Sequence, residues 1–160
     1  MKRIKKLLTV DIGYNTGFAY WTDSSPENVK TGVIIEAKKD KEMKKIDRLY
    51  KMSIQFRNVI AFYKPKRVVF ESVNLWGGSD KSQTSASQGY LFDLSSLLGM
   101  YTLIAKNYKC DVHWVSVQEW KGTLSKEATR YWIEKLTNKK YSSEHINDAI
   151  GIGLYLQGIF

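Results

Sequence analysis

Two short apolar runs, each leading directly into an acidic residue, place the strongest constraint on the fold of this chain. Residues 7–10 precede Asp11, and residues 67–70 precede Glu71. Both runs are short, apolar and rich in β-branched residues, which is typical of buried strands. A carboxylate at the end of a buried strand is costly unless it has a partner. We therefore expect the two strands to lie side by side and to present both acids to one divalent cation.

A third polar group lies at the start of the last predicted helix. His145 and Asp148 are three residues apart, so they share one helical face. Asp148 lies among apolar residues, where a charge needs a partner. If this face meets the strand ends, three carboxylates and an imidazole converge on a site suited to Mg²⁺ or Mn²⁺ and to phosphodiester hydrolysis. We expect Glu144 to be a helix-start residue and His113 a packed or edge residue.

Each of these acids also has a simpler explanation when it is considered alone. Asp11 stands before Ile12 and Gly13, where an Asp often forms a turn. Glu71 can be a solvent-facing strand end, and Asp148 can belong to a polar helix start, where an acid favours the helix dipole. The metal site is preferred because the apolar surroundings of the acids demand partners for their charges.

The net charge indicates an anionic partner. The 160 residues include 25 Lys and Arg against 16 Asp and Glu, which gives a formal net charge of +9. Such basicity favours nucleic acid, although ribosomal and other soluble proteins share it. No apolar run approaches the roughly 20 residues that span a bilayer, so we expect no membrane partner. Cys110 is the only cysteine, which excludes an intrachain disulfide and favours a reducing cytoplasm.

The periodicity of apolar residues predicts a mixed α/β fold in a single domain, residues 1–160. The order β-β-β-α-β-α-β-α-α requires helical crossovers between parallel strands. Sites in such sheets form at the carboxyl ends of strands, where both Asp11 and Glu71 lie. The predicted strands are 6–12, 17–22, 33–35, 67–71 and 112–117. The predicted helices are 41–63, 85–107, 126–136 and 144–159.

This order of elements, together with three motifs, resembles the RuvC-type Holliday junction resolvases of the RNase H-like superfamily. The motifs are Val10-Asp11-Ile12-Gly13 with Thr16-Gly17, Val69-Phe70-Glu71, and His145-Ile146-Asn147-Asp148-Ala149. The resemblance covers nearly the whole chain and implies an RNase H-like mixed five-stranded sheet flanked by helices. Ile12 stands where the family commonly has Pro, and the loop between the two glycines is one residue shorter. These differences indicate a divergent branch, such as a phage-encoded one.

The resemblance implies a Mg²⁺-dependent endonuclease, with Mn²⁺ as a substitute, that makes paired symmetric nicks across a four-way DNA junction. The family pattern assigns both catalysis and metal binding to Asp11, Glu71, His145 and Asp148. Asp11 would bridge two cations, with Glu71 on one and Asp148 on the other. His145 would ligate the metal directly or orient water. The setting would be the cytoplasm of a bacterium or of a phage-infected host.

Family members are homodimers, and one helix of this chain has the composition of a dimer contact. Residues 90–104 are apolar over more than one face, which invites a partner, although a central core helix gives the same pattern. We expect Leu97 and Met100 to lie on the face toward the partner. A twofold dimer would then place two sites on a similarly symmetric junction.

The resemblance also indicates which residues contact DNA. Lys121 and Lys126 lie in a segment that resembles a basic segment near the scissile phosphate, and Lys121 is also assigned to catalysis. A solvated loop and helix start is the equal alternative for these two lysines. Loop 72–84 contains Trp76 and Lys81, which we expect to contact DNA. The family uses an aromatic residue in this region at the junction centre, whereas an ordinary core Trp is the alternative for Trp76.

Three other functions remain open. A related nuclease of the same fold, acting on other branched DNA or on RNA, would use the same residues. A non-catalytic basic DNA-binding module would explain the charge but not the four candidate ligands. A sugar-kinase or actin-like ATPase also begins with a strand and Asp-x-Gly, but 160 residues cannot form its two-lobed cleft. Metal-dependent cleavage would separate the nucleases from the binding module.

Overall fold

A five-stranded sheet with the order β3-β2-β1-β4-β5 organises the computed structural model, which describes residues 5–36, 43–73 and 89–159. The strands are β1 (Leu7–Asp11), β2 (Asn15–Trp21), β3 (Lys30–Ile35), β4 (Arg67–Glu71) and β5 (Asp111–Val115). The helices are α1 (Lys45–Tyr63), α2 (Tyr90–Asn107), α3 (Val117–Trp120), α4 (Lys126–Thr137) and α5 (Glu144–Leu156). A short 3-10 helix spans Pro26–Asn28.

The sheet is mixed, as the sequence predicted. β2 runs antiparallel to its neighbours β1 and β3, whereas β4 runs parallel to its neighbours β1 and β5. In the parallel pair, Val10 lies beside Phe70. The next residues, Asp11 and Glu71, therefore end neighbouring strands at the same edge of the sheet.

Each face of the sheet carries its own hydrophobic core. Leu8 and Val10 of β1 pack into the core that α1 and α2 cover, where Phe56 stacks on Tyr101 with 4.2 Å between ring centroids. Leu7 packs into the opposite core, which α4 and α5 cover. Successive side chains of a strand point to opposite faces, so Asp11 shares the face of Leu7. The same period directs Glu71 toward α5.

The approach of α5 to the sheet depends on a glycine and a threonine in the strands. A Cβ on Gly17 would overlap the backbone of His145, so only glycine allows this close contact. Thr9 Oγ1 donates a hydrogen bond of 2.6 Å to the carbonyl of Ala149, inside the same helix. These contacts fix the first turns of α5 directly over the end of β1.

Several predicted boundaries were wrong by a few residues. The second and third strands begin earlier than predicted, and α5 ends at Leu156 instead of 159. The fifth strand ends at Val115 instead of 117 because Ser116 caps a helix that was not predicted. The Ser116 side chain accepts the backbone N–H of Glu119, whose carboxylate accepts the N–H of Ser116 in return. No helix among the described residues is both long enough and apolar enough to span a membrane.

Candidate functional site

Asp11, which is buried, and Glu71, which is half-buried, form a pair of carboxylates at one edge of the sheet. Asp11 is only 7% exposed. Burial raises the pKa of Asp11 above its ordinary value. Burial also raises the pKa of Glu71, to about 8, and the nearby Asp11 charge acts in the same direction. Negative charge is therefore unfavourable at this edge, and a cation held between the acids would relieve it.

His145 approaches Asp11 from the first turn of α5. Its Nδ1 lies 2.6 Å from Asp11 Oδ2, and this hydrogen bond raises the pKa of His145. A Cβ on Gly13 would lie 2.9 Å from the Cε1 atom of His145. The imidazole therefore occupies space that the glycine leaves open in the turn after β1.

Trp120 holds the second acid of the pair. Its Nε1 donates a hydrogen bond of 2.9 Å to Glu71 Oε2. The indole is 3% exposed and packs so close to α5 that a Cβ on Gly151 would overlap it. No role for Trp120 was predicted from the sequence. The capping box of Ser116 would have predicted the short helix that carries this residue to the site.

Lys121 and Lys126 both contact acids of α5. Lys121 Nζ lies 3.1 Å from Asp148 Oδ1, and it also lies over the Trp120 ring. Lys126 Nζ lies 2.9 Å from the exposed carboxylate of Glu144, and this hydrogen bond lowers the pKa of Glu144. Lys121 therefore belongs to the same group as the buried acids, whereas Lys126 forms an exposed ion pair at its border.

The four predicted ligands lie close to one another, but each carboxylate is held by another side chain. Within residues 5–36, 43–73 and 89–159, no three His, Cys, Asp or Glu side chains are grouped as a metal ion requires. Asp11 is held by His145, Glu71 by Trp120 and Asp148 by Lys121. The donor set still fits a divalent cation, because carboxylate oxygens are the ligands that Mg²⁺ and Mn²⁺ prefer. The raised pKa values of the buried pair agree with this fit.

Solved structures of Holliday junction resolvases share the fold of this chain. Thermus thermophilus RuvC in complex with a Holliday junction substrate matches with a TM-score of 0.71 at 13% identity, covering 93% of this chain and 90% of that chain. The chain has the RuvC fold. Another Thermus thermophilus RuvC structure matches with a TM-score of 0.67 at 14% identity, covering 93% and 91%. The yeast mitochondrial Holliday junction resolvase Ydc2 matches with a TM-score of 0.63 at 13% identity, covering 98% and 80%.

The RuvC fold confirms the RNase H-like architecture that the sequence motifs implied. No protein-family model matches the chain, and no curated protein matches it by sequence. At 13–14% identity the likeness concerns the fold.

Asp93, on α2, is a buried acid that the sequence analysis missed. It is 2% exposed, accepts a hydrogen bond from the Tyr14 hydroxyl and lies 2.6 Å from Lys45 Nζ. Tyr14 belongs to the turn that follows Asp11, and its ring packs edge-on against Tyr90. This network ties the two helices on one face of the RuvC fold to the turn beside the acids. The signal was available, since Asp93 is a charge within an apolar helix.

The remaining predicted residues lie elsewhere. Trp76 and Lys81, the predicted DNA contacts of loop 72–84, lie outside the described residues. His113 is exposed on β5, an edge strand of the RuvC fold, and its Nε2 lies 2.9 Å from Asp111 Oδ1. It stands in register with Val69, before the strand end, and takes no part in the acid pair.

Proposed function

We propose that the chain is a single-domain, divalent-metal-dependent endonuclease that resolves four-way DNA junctions by paired nicks. The observation that carries the proposal is the pair of a buried Asp11 and a half-buried Glu71, with His145 and Asp148 of α5 beside it. The RuvC fold supports the substrate class, because the matched structures are described as Holliday junction resolvases. The net charge of +9 supports a polyanionic substrate. The lone, buried Cys110 supports a cytoplasmic setting.

Mg²⁺ is the proposed cofactor, and Mn²⁺ a substitute, held by Asp11, Glu71 and Asp148. When bound, the ion supplies Lewis-acid activation of the phosphodiester. His145 orients the Asp11 carboxylate and holds a proton at Nδ1, the atom that faces Asp11. Lys121 brings a positive charge beside Asp148, where it can contact an oxygen of the scissile phosphate.

Acid-to-amide variants test the assignment on a labelled four-way junction. Asp11→Asn, Glu71→Gln and Asp148→Asn should each abolish Mg²⁺-dependent cleavage while junction binding persists, because each removes a ligand and also reduces negative charge near phosphate. Asp111→Asn, at an exposed acid of β5, is the matched control and should cleave normally. Cleavage by Asp11→Asn at the wild-type rate would reject the site.

The substrate range decides between this proposal and its alternatives. The wild-type protein should cut the junction much faster than a linear duplex, and only with a divalent cation present. Cleavage of another branched DNA or of RNA at the same rate as the four-way junction would favour the related nuclease of the same fold. Binding without cleavage under every metal condition would assign the non-catalytic module.

We propose a homodimer formed through an exposed stripe of α2, in which Ser95 and Gly99 separate two large apolar residues. Phe92 and Leu103 lie on this stripe and are 77% and 62% exposed. Their spacing of 11 residues is about three turns, so they share one face. The expected partner face was wrong for Leu97, which is fully buried, and for Met100, which packs against the core. A helix apolar on all sides gives no sign of which face its own domain covers.

Charged substitutions on this stripe test the dimer. Phe92→Glu or Leu103→Glu should yield monomers in sedimentation at assay concentration, and these should nick one strand at a time. Tyr131→Glu, at a 60% exposed aromatic residue of α4, is the control and should remain dimeric. If the wild-type protein were fully active as a monomer, paired cleavage would be rejected, but the proposal of a metal-dependent nuclease would not.

A further inference from the structure

Three lysines at the end of the sheet opposite the acid pair adopt the left-handed backbone conformation. Lys6, Lys64 and Lys109 have φ of 57°, 47° and 60°, and they precede β1, β4 and β5. The other non-glycine residue with positive φ in the described part of the chain is Asn138, which ends α4. Glycine, which has no Cβ to crowd the following carbonyl oxygen, or asparagine, whose short side chain can bond locally, normally fills such positions. Here lysine fills all three, including the C-cap of α1 at Lys64, and all three side chains are exposed.

Two of these lysines line an open groove, and Lys6 is hydrogen-bonded through its backbone to a residue of that groove. Lys64, Lys66 and Lys109 line a groove of about 760 Å³, together with Tyr108 and apolar residues. The backbone N–H of Lys66 donates a hydrogen bond of 2.8 Å to the carbonyl of Lys6, which joins the starts of β1 and β4. We name the exposed lysines at this end of the sheet the lysine edge. It consists of Lys5, Lys6, Lys64, Lys66, Lys106 and Lys109.

No acid neutralises the lysine edge within the residues that the structure describes. None of its lysines forms an ion pair there, and the groove is lined by no Asp or Glu. The adjacent Arg67 is already paired with Asp111, at 2.7 Å. Like charges gathered without counter-charges repel one another in the free protein and attract a polyanion.

We propose that the lysine edge is a second DNA-binding surface, which holds the phosphate backbone of a duplex away from the acid pair. The acids end β1 and β4, whereas the lysine edge precedes them, so a strand of five residues, about 16 Å long, separates the two. Lysine ammonium groups contact phosphates without reading sequence. Among the described residues that line the groove, Tyr108 is the one aromatic residue, whereas single-strand surfaces present several rings for base stacking. This composition favours a duplex.

Glycine substitutions separate the charge of these lysines from their backbone conformation. The triple variant Lys6→Gly, Lys64→Gly and Lys109→Gly removes three charges and also relieves the left-handed strain. The variant should therefore fold, and its Tm should equal that of the wild type or exceed it by up to about 2–4 °C per site. The charge-matched control replaces the exposed lysines Lys30, Lys51 and Lys140 by Gln.

Salt dependence of binding to a labelled linear duplex measures how many phosphates each variant contacts. Losing three lysine contacts should make the slope of log affinity against log salt shallower by about 2.7. Between 50 and 200 mM salt, the wild-type protein should then lose about 40-fold more affinity than the triple-glycine variant. The control variant should keep a slope nearer to that of the wild type. An unchanged slope in the triple-glycine variant would overturn the proposal.

A capture assay separates the lysine edge from the catalytic end. The wild-type protein, bound to an immobilised four-way junction, should capture a labelled linear duplex from solution, and so should the control variant. The triple-glycine variant should bind the junction and lose capture. Capture equal to that of the wild type would overturn the proposal. The choice of DNA as the ligand rests on the proposed function, but neither the salt slope nor the capture assay needs cleavage. A wild-type protein that does not cleave would reject the nuclease proposal, and the capture assay would still test the lysine edge.

Discussion

The charge of Glu71 should destabilise the metal-free protein, and Glu71→Gln should relieve this effect. Burial and the neighbouring Asp11 raise the pKa of Glu71 from an ordinary value of 4.5 to about 8. A carboxyl group whose pKa is higher in the folded protein is ionised more easily after unfolding. The destabilisation by Glu71 is therefore absent below pH 4.5, and the free energy of unfolding falls as the pH rises from 4.5 toward about 8. Glutamine keeps an acceptor for Trp120 Nε1 and has no charge to bury.

The magnitude follows from the same pKa difference. Each pH unit corresponds to about 1.4 kcal/mol, so a rise from 4.5 to about 8 sets an upper limit of about 5 kcal/mol. Glu71 is only partly buried, and water and side-chain movement will screen its charge, so we expect about 2–3 kcal/mol. For a chain of this size that difference is a rise in Tm of roughly 5–10 °C at pH 8 with EDTA present.

Magnesium should cancel most of the stability advantage of Glu71→Gln. If Glu71 is a ligand, Mg²⁺ at 100 times its Kd stabilises the wild-type protein by about 2.7 kcal/mol, whereas Glu71→Gln gains little. Thermal unfolding between pH 4.5 and 8.5, with EDTA or with Mg²⁺, measures both effects. Glu134→Gln, on the exposed side of α4, removes the same charge elsewhere and should follow the wild-type protein. A Glu71→Gln variant that is less stable at pH 8 in EDTA, or that keeps the full Mg²⁺ response, would refute the reasoning.

Three further substitutions test the supports of the site. Gly17→Ala should lower the free energy of unfolding by about 1–3 kcal/mol and remove most of the cleavage rate, because its Cβ would displace the backbone of His145. Gly99→Ala, with open space around its Cβ, is the control and should not destabilise the fold in a thermal melt. Trp120→Phe should raise the pKa of Glu71 further, seen by titration of its carboxyl NMR signal, because it removes the donor to Oε2. His145→Asp should retain partial cleavage with a changed Mg²⁺ to Mn²⁺ preference, and an inert but folded variant would contradict that equivalence.

The positions of the two strand acids could be predicted because they depend on local pattern alone. The apolar runs before Asp11 and Glu71 identify β1 and β4, and the parallel crossover brings both carboxyl ends to one edge. The two-residue period then directs both acids to the face that α5 covers. The fifth strand ended early because the capping box of Ser116 competes with strand pairing, and this local rule was readable from the sequence.

The contact between Trp120 and Glu71 could not be predicted, because it depends on long-range packing. Trp120 reaches Glu71 only since α3 turns the chain back over the strand ends. Asp93 is buried by contacts from Tyr14 and Lys45, which are far from it in the sequence. The same limit explains the error at Leu97. Apolarity marks α2 as a packed helix, but its contacts with α1 decide which side chains the domain covers.

The site that emerges compensates its negative charge with contacts of different kinds. The N-terminal end of α5, with its positive partial charge, lies over Asp11 through His145. Trp120 donates to Glu71, and Lys121 neutralises Asp148. Each contact uses one oxygen of its carboxylate, so a cation would either bind the other oxygen or displace the side chain that holds the first. Released from Asp148, Lys121 would lie free beside the acids, where a phosphate oxygen is the natural partner for its charge. If the proposed metal displaces Lys121 from Asp148, metal binding and substrate binding would be linked through Lys121.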